Sequence, residues 1–280
     1  MVPRRATFDD VSPMPIAHPT VTQLAVIGAI SAVGGAVNSI AGGGTLLTFP
    51  ALLGLGVPAI AANATSTVAL WPGSFSSMWG YRKELEGARQ WAVRLAVPSV
   101  LGGVAGAALL LVTPEERFKA LVPWLVLGAT MLFALQRPVI NWLQWRIRQR
   151  TATTELRVTR PINPTAAMLV AQFAVGVYGG YFGAGAGIVM LAVFGLMGLT
   201  NIHQMNGLKN FNGICFNGVA AAAFAIMGLV VWPIALVMAL GSSAGGYLMS
   251  GLAQRVPQEW VRNMVTLIGL GSAIWLFTKR

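Results

Sequence analysis

The most constraining feature of the chain is a stretch from 161 to 254 that contains a single formal charge, Lys209. Charged residues make up 10% of the 280 residues and hydrophobic residues 55%, with a mean hydropathy of +0.68. An average soluble domain carries roughly 25% charged residues. Because so few charges cannot cover the surface of a globule of this size in water, most of that surface must face lipid. A soluble enzyme, a disordered protein and a secreted disulfide scaffold are therefore excluded.

The net charge is +11. In a soluble chain such an excess suggests nucleic acid, whereas in a membrane protein Lys and Arg mark the cytoplasmic loops. We therefore expect the lipid bilayer, and no nucleic acid, as a partner. The single cysteine, Cys215, lies in an apolar run and leaves no disulfide or cysteine-based metal site.

Apolar segments occur in two sets of five, and a full span needs about 20 residues. The second segment of each set is short and follows a glycine cluster, at 42–44 or 183–187. We predict an all-α polytopic membrane protein with two repeats, each of four to five helices including a short Gly-interrupted or re-entrant segment. The predicted segments are 21–40, 45–57, 62–80, 92–112 and 118–136, then 164–182, 188–199, 205–229, 231–252 and 259–277.

The two sets superimpose at an offset of 143 residues, which pairs Gly42 with Gly185 and Asn63 with Asn206. A common offset across a shared hydropathy pattern indicates a duplication. The predicted organisation is a polar tail (1–20), a first transmembrane repeat (21–136), a basic cytoplasmic loop (137–163) and a second transmembrane repeat (164–280).

Basic residues predict the orientation of these repeats. Placing the connection after the third segment, the central loop and the region around Arg255 in the cytoplasm puts 12 of the 19 basic residues inside. This arrangement requires both termini in the periplasm and opposite topologies for the two halves. Inverted repeats with short, Gly-interrupted segments at matching positions indicate where a transporter binds its substrate.

Lys209 lies within a polar stripe, and an ionisable residue in lipid is by default a functional-site hypothesis. At helical periodicity Asn206, Lys209, Asn210, Gly213 and Asn217 share one face. The repeat carries this face onto Asn63, Ser66, Thr67, Leu70 and Ser74 in the first half. One cation with many hydrogen-bond donors complements a small oxyanion. The alternative for Lys209 is a snorkelling lysine whose amine reaches the headgroups.

The glycine clusters extend the candidate site. A helix broken within the membrane frees N–H groups, and the N-terminus of the next helix carries partial positive charge. The alternative is that these glycines serve only helix packing. The candidate substrate-binding residues are Lys209, Asn206, Asn210, Asn63, Ser66, Thr67, Thr45, Gly43, Gly44, Gly185 and Gly187.

Acidic residues lie at the ends of the predicted spans or in the loops. Carboxylate proton relays, sodium cages and cation transport are therefore disfavoured. No His–Asp pair is available to activate a serine, and no cluster of metal ligands occurs. We expect neither an enzyme nor a metal or other cofactor.

Four motifs carry a resemblance to a known family. Residues 39–50 (SIAGGGTLLTFP) and 62–67 (ANATST) resemble the first-half signature of the sulfite exporter TauE/SafE permeases. Residues 181–188 (YFGAGAGI) and 205–210 (MNGLKN) resemble the second-half motifs. The resemblance implies a bacterial inner-membrane permease of two related halves for sulfite, thiosulfate or organosulfonates such as sulfoacetate. This chain has Asn-Gly-Leu-Lys-Asn in the last motif, where many relatives carry a Thr-Ser pair. This departure from the family pattern points to a subgroup with its own substrate.

The residues and the resemblance together predict a permease that exports a small sulfur-containing anion. Uptake of the same anions and a non-transporting scaffold or assembly protein stay open as alternatives, as does a homodimer.

Overall fold

The computed structural model describes residues 19–40, 42–152, 165–197, 199, 201–252 and 258–279. These residues form helices and connecting turns, with no strand among them, which confirms the all-α prediction. Ten of the helices correspond to the ten predicted segments, and the short α4 is additional. The helices are α1 Val21–Ile40, α2 Thr45–Gly54, α3 Ala59–Gly80, α4 Arg82–Glu86, α5 Arg89–Val112, α6 Glu115–Ala152, α7 Ala166–Tyr181, α8 Ala186–Leu196, α9 Ile202–Ile226, α10 Trp232–Leu252 and α11 Gln258–Thr278.

Four of the described helical segments are long and apolar enough to cross a membrane: Val21–Ser39, Arg89–Val112, Glu115–Leu135 and Trp232–Met249. The helices α2 and α8 have 10 and 11 residues and are about 15 Å long at 1.5 Å per residue. Since the hydrocarbon core is about 30 Å thick, each reaches only about halfway across.

Helix α6 continues without a break from Glu115 to Ala152, beyond the end of the predicted span at 136. The first part of the predicted central loop, 137–152, is therefore helical. Its sequence after Pro138 includes two Gln and three Arg residues, which favour helix. Residues 153–164 of that loop, and 1–18 of the predicted tail, lie outside the described residues.

Three of the five helix pairs begin at the predicted offset of 143 residues. Helices α3 and α9 begin at Ala59 and Ile202, which are 143 residues apart. The same interval separates the first residues of α5 and α10 and those of α6 and α11. We call residues 143 positions apart repeat mates. The opposite orientation of the two halves in the membrane stays a prediction.

The halves exchange their first helices. Helix α1 packs along α10 of the second half, α7 packs along α5 of the first half, and α3 contacts α9 between them. Small residues permit this: a Cβ on Gly35 would meet the backbone of Ser242, and one on Gly245 would meet Ala32. Close backbone approach through small residues is the usual packing of helices in lipid.

Candidate functional site

A cavity of about 40 Å³ lies where α3 faces α9 and the two glycine clusters meet. A cavity needs roughly 10–15 Å³ to hold one water, so this one has room for a few waters or one small anion. The residues that line it are Asn38, Gly42, Thr45, Thr67, Leu70, Ser74, Gly183, Ala186, Gly187, Met190, Lys209, Asn210, Gly213, Phe216 and Asn217.

Residues of both halves line the cavity. Thr67, Leu70 and Ser74 on α3 line it together with their three repeat mates on α9, Asn210, Gly213 and Asn217. Two further mates bond directly beside it, since Trp71 Nε1 donates to the Ile214 carbonyl at 3.1 Å. The predicted polar faces of α3 and α9 therefore meet at the contact that relates the halves.

The glycine clusters cross at this point with their backbones in contact. A Cβ on Gly187 would lie 2.8 Å from Gly42 Cα, and one on Gly42 would lie 2.7 Å from Gly187 Cα. Gly42, Gly183 and Gly185 also adopt φ values of +78°, +76° and +75°, which glycine reaches without steric cost. Both packing and backbone geometry therefore require glycine here.

Lys209 is 3% exposed and points its ammonium at the end of α1. Its Nζ donates to the carbonyl oxygens of Asn38 and Ser39, each at 3.2 Å. The last carbonyls of a helix lack partners within the helix and carry partial negative charge, which a cation stabilises. Lys209 therefore does not snorkel to the headgroups. It closes the C-terminal end of α1 and lines the cavity at the same time.

Asn210 adds a free donor to the same wall. It is 4% exposed, and its Nδ2 has no hydrogen-bond partner in the structure. A buried amide donor without an acceptor costs roughly 1–3 kcal/mol. A ligand that brings an acceptor oxygen into the cavity removes that cost.

Five predicted site residues line the cavity: Lys209, Asn210, Thr67, Thr45 and Gly187. Three others are buried outside it and take part in packing. Asn63 Nδ2 donates to the Tyr181 carbonyl at 3.0 Å, and Ser66 Oγ lies 2.6 Å from Thr48 Oγ1. Asn206 is 6% exposed, and its Oδ1 has no partner.

The remaining predicted glycines also lie outside the cavity lining. A Cβ on Gly43 would run into the Phe133 ring, and one on Gly44 would meet the Gly34 carbonyl. Gly185 is the residue before α8, in the left-handed conformation. Gly43 and Gly44 therefore fit the alternative that these glycines serve helix packing.

The helix ends around the cavity are less open than predicted. The N–H groups of Ile188 and Val189 bond to the Gly185 carbonyl, and that of Ala186 bonds to Gly183. In α2 the N–H groups of Leu46 and Leu47 bond in the same way to Gly43 and Gly44. Most donors of the expected backbone anion sites are therefore already used, and Lys209 and Asn210 on α9 supply side-chain donors to the cavity.

Sequence reasoning missed several lining residues. Asn38 precedes the first glycine cluster, and its polar side chain at the end of an apolar helix was the available signal. Met190 and Phe216 carry no such signal, because nothing in the sequence distinguishes them from other core residues. They give the cavity an apolar wall.

The cavity is electropositive. None of the described residues that line it is acidic, and Lys209 is the one ionisable group among them. Across the described part of the chain, no group of three or more His, Cys, Asp or Glu residues is placed to hold a metal ion. The donor set suits a small anion.

Comparison with known proteins agrees with this geometry. The family model described as "Sulfite exporter TauE/SafE" matches residues 27–276, which include both halves and every residue of the cavity. The chain belongs to the TauE/SafE family.

Curated relatives of this TauE/SafE chain are named as membrane transporters. The "Probable membrane transporter protein ORF9" of Sinorhizobium sp. is 25% identical over 87% of this chain and 88% of its own. A "Probable membrane transporter protein" of Haemophilus influenzae is 29% identical over 88% of this chain and 91% of its own. The "Probable membrane transporter protein YfcA" of Escherichia coli K12 is 28% identical over 88% and 86% respectively. No solved structure matches the chain.

Proposed function

We propose that this TauE/SafE chain is a permease of the bacterial inner membrane that exports a small sulfur-containing anion: sulfite, thiosulfate or an organosulfonate such as sulfoacetate. The observation that carries the proposal is that Lys209 and Asn210 line the same buried cavity, which has no acidic residue in its lining, and that Asn210 Nδ2 has no hydrogen-bond partner. The name of the family model and the names of the relatives support the same class of activity.

Export of an anion is favoured by the membrane potential and needs no coupling ion. An inside-negative potential favours the exit of an anion by about 2.3 kcal/mol per charge per 100 mV. The described lining residues include no carboxylate that would bind a coupling proton or sodium ion. Downhill exit requires neither. Both termini then lie in the periplasm, with the basic connections inside.

The scaffold alternative makes a different use of the polar residues. Polar residues that only hold helices together are expected to pair, as Ser99 does with Asn212 Oδ1 at 3.0 Å and with Gln172 Nε2 at 2.9 Å. Asn210 instead lines the cavity with an unpartnered donor, whereas the unpartnered atoms of Asn206 and Gln172 are acceptors of residues outside the lining. This difference favours a binding site over a structural contact at Asn210.

The test is efflux from proteoliposomes loaded separately with sulfite, thiosulfate and sulfoacetate. Potassium and valinomycin set the membrane potential, and ion chromatography measures the external anion. We expect potential-dependent efflux of at least one of these anions, absent from protein-free liposomes and reduced at least tenfold by Asn210→Leu. The control is Lys119→Gln, which changes an exposed residue at the start of α6. Asn212→Leu is not a suitable control, because Asn212 is hydrogen-bonded to Ser99.

Two results would overturn the proposal. The first is efflux no faster than from protein-free liposomes for all three anions at either polarity, with the protein shown to be folded and inserted. The second is equal flux for wild type and a folded Asn210→Leu protein. Inward flux with no outward flux would replace export by uptake, since the site itself has no direction.

A further inference from the structure

We infer that the cavity selects anions by charge and accepts monovalent ones, such as hydrogen sulfite or a monosulfonate, over divalent ones. The inference rests on the proposed function and narrows its substrate class. It follows from the charges that face the cavity, and therefore applies equally to inorganic and organic anions.

Lys209 supplies the whole formal charge of the cavity. Every other described residue that lines it is a neutral amide, hydroxyl, glycine or apolar residue. Part of the field of this lysine is already used, because Nζ donates to Asn38 O and Ser39 O. An ammonium has three donors, so one N–H is left for a substrate oxygen.

Helix ends do not add a net charge. The C-terminal end of α1 reaches the cavity at Asn38, and the turn after α7 reaches it at Gly183. The N-terminal ends of α2 and α8 reach it at Thr45 and Ala186. Each end is equivalent to roughly half an elementary charge, negative for the first two and positive for the others. The four contributions therefore cancel, and the lysine stands alone.

A second negative charge would have no partner in this site. Phe216, Met190 and Leu70 form apolar parts of the wall, and the cavity holds only a few waters. Transfer of an uncompensated ion from water into such a place is strongly unfavourable. A monoanion is balanced by Lys209 and accepts a hydrogen bond from Asn210 Nδ2, whereas a dianion is balanced only in part.

The test compares two anions of matched size. 2-Hydroxyethanesulfonate carries one negative charge and sulfoacetate two, and they differ by a hydroxymethyl group in place of a carboxylate. Both are loaded together into proteoliposomes, with equal potassium and valinomycin on both sides to hold the potential at zero. We expect wild-type efflux to favour the monoanion by about tenfold or more, which corresponds to about 1.4 kcal/mol.

A second cation in the cavity shifts this preference. Asn217 lines the cavity and is half-buried, so it accommodates a longer side chain better than its fully buried neighbours. Asn217→Lys is expected to lower the ratio of monoanion to dianion flux at least fivefold, whereas Asn217→Gln lengthens the side chain without charge and keeps the ratio. Because both anions leave the same vesicles, the ratio does not depend on how much protein is active.

The outcomes separate this inference from the proposed function. Sulfoacetate efflux equal to or faster than that of 2-hydroxyethanesulfonate in wild type overturns charge selection and leaves anion transport standing. A ratio in Asn217→Lys that equals that of Asn217→Gln, with both proteins active, also overturns it. Absence of flux for both anions, together with the three of the previous test, overturns both proposals.

Discussion

Lys209 on α9 donates its ammonium to the carbonyl oxygen of Asn38, 3.2 Å away at the end of α1 in the other half of the chain. The repeat mate of Asn38 is Tyr181, and its carbonyl accepts a hydrogen bond from Asn63 Nδ2 at 3.0 Å. Each half therefore closes the end of the other half's first helix with a polar side chain. Lysine at one of the two places gives the cavity its charge, and its third N–H is left for a substrate anion while the other two bond the α1 carbonyls.

The first prediction separates the structural role of Lys209 from its charge. Lys209→Met removes the donor to the Ser39 carbonyl and one of two donors to the Asn38 carbonyl, which also accepts from the Gly42 N–H at 3.1 Å. Loss of a buried carbonyl's partner costs roughly 1–3 kcal/mol. Lys209→Gln keeps a donor on a side chain one atom shorter and loses the charge. We expect the thermal unfolding midpoint in detergent to fall clearly for Lys209→Met and less for Lys209→Gln. Equal midpoints for both variants would show that these hydrogen bonds contribute little.

The second prediction concerns the volume of the cavity. A Cβ on Gly213 has no atom within 4 Å, so Gly213→Ala is accommodated by the fold while its methyl group occupies the cavity. We expect an unchanged or higher unfolding midpoint together with at least fivefold slower anion efflux. Gly128→Ala on α6 is the matched control, because that Cβ also meets nothing within 4 Å but lies away from the cavity. Full efflux by Gly213→Ala would place the transport path elsewhere.

The third prediction tests the crossing of the glycine clusters. Gly42→Ala places a Cβ 2.7 Å from Gly187 Cα in a backbone with φ of +78°. The left-handed conformation alone costs an L-residue roughly 1–2 kcal/mol, and the contact adds to it. We expect a large fall in the yield and thermal stability of the folded protein. Gly54→Ala, at the end of α2 with open space around its Cβ, is expected to behave as wild type.

The fourth prediction concerns Glu115, whose carboxylate holds the start of α3. Its Oε1 and Oε2 accept hydrogen bonds from the N–H groups of Ala59 and Ile60 at 2.6 and 3.1 Å. Loss of such an N-terminal cap costs roughly 0.5–2 kcal/mol. Glu115→Ala is therefore expected to lower the unfolding midpoint, whereas Glu116→Ala, on the exposed side of the same turn, leaves it unchanged. Equal effects of the two would argue that the charge, and not the cap, matters.

Periodicity and the offset of 143 residues predicted the helices and the polar faces of α3 and α9. They did not predict which residues of each polar face reach the cavity. Asn206 and Asn210 lie on the same face one turn apart, yet only Asn210 reaches the cavity. That depends on how α1 and α7 cross between the halves, which no local pattern encodes. The bond from Lys209 to Asn38 spans 171 positions for the same reason.

Helix α6 shows a second limit of the sequence. The basic residues after position 136 predicted the end of the membrane-spanning segment, because charge ends an apolar run. Charge ends the membrane-compatible segment but not the helix, since Arg, Gln and Leu are all good helix formers. The helix therefore continues to Ala152, and the boundary of the hydrophobic stretch is not the boundary of the element.

The most direct test of the central claim is sulfite efflux from proteoliposomes that contain Lys209→Gln, at a fixed inside-negative potential. Lys119→Gln is the matched control, because it removes an exposed lysine that is not among the cavity lining. Equal amounts of folded, inserted protein are verified by thermal unfolding and by protection from an external protease. The account predicts at least a tenfold loss of efflux for Lys209→Gln and wild-type efflux for Lys119→Gln. Wild-type efflux by a folded Lys209→Gln protein would contradict it.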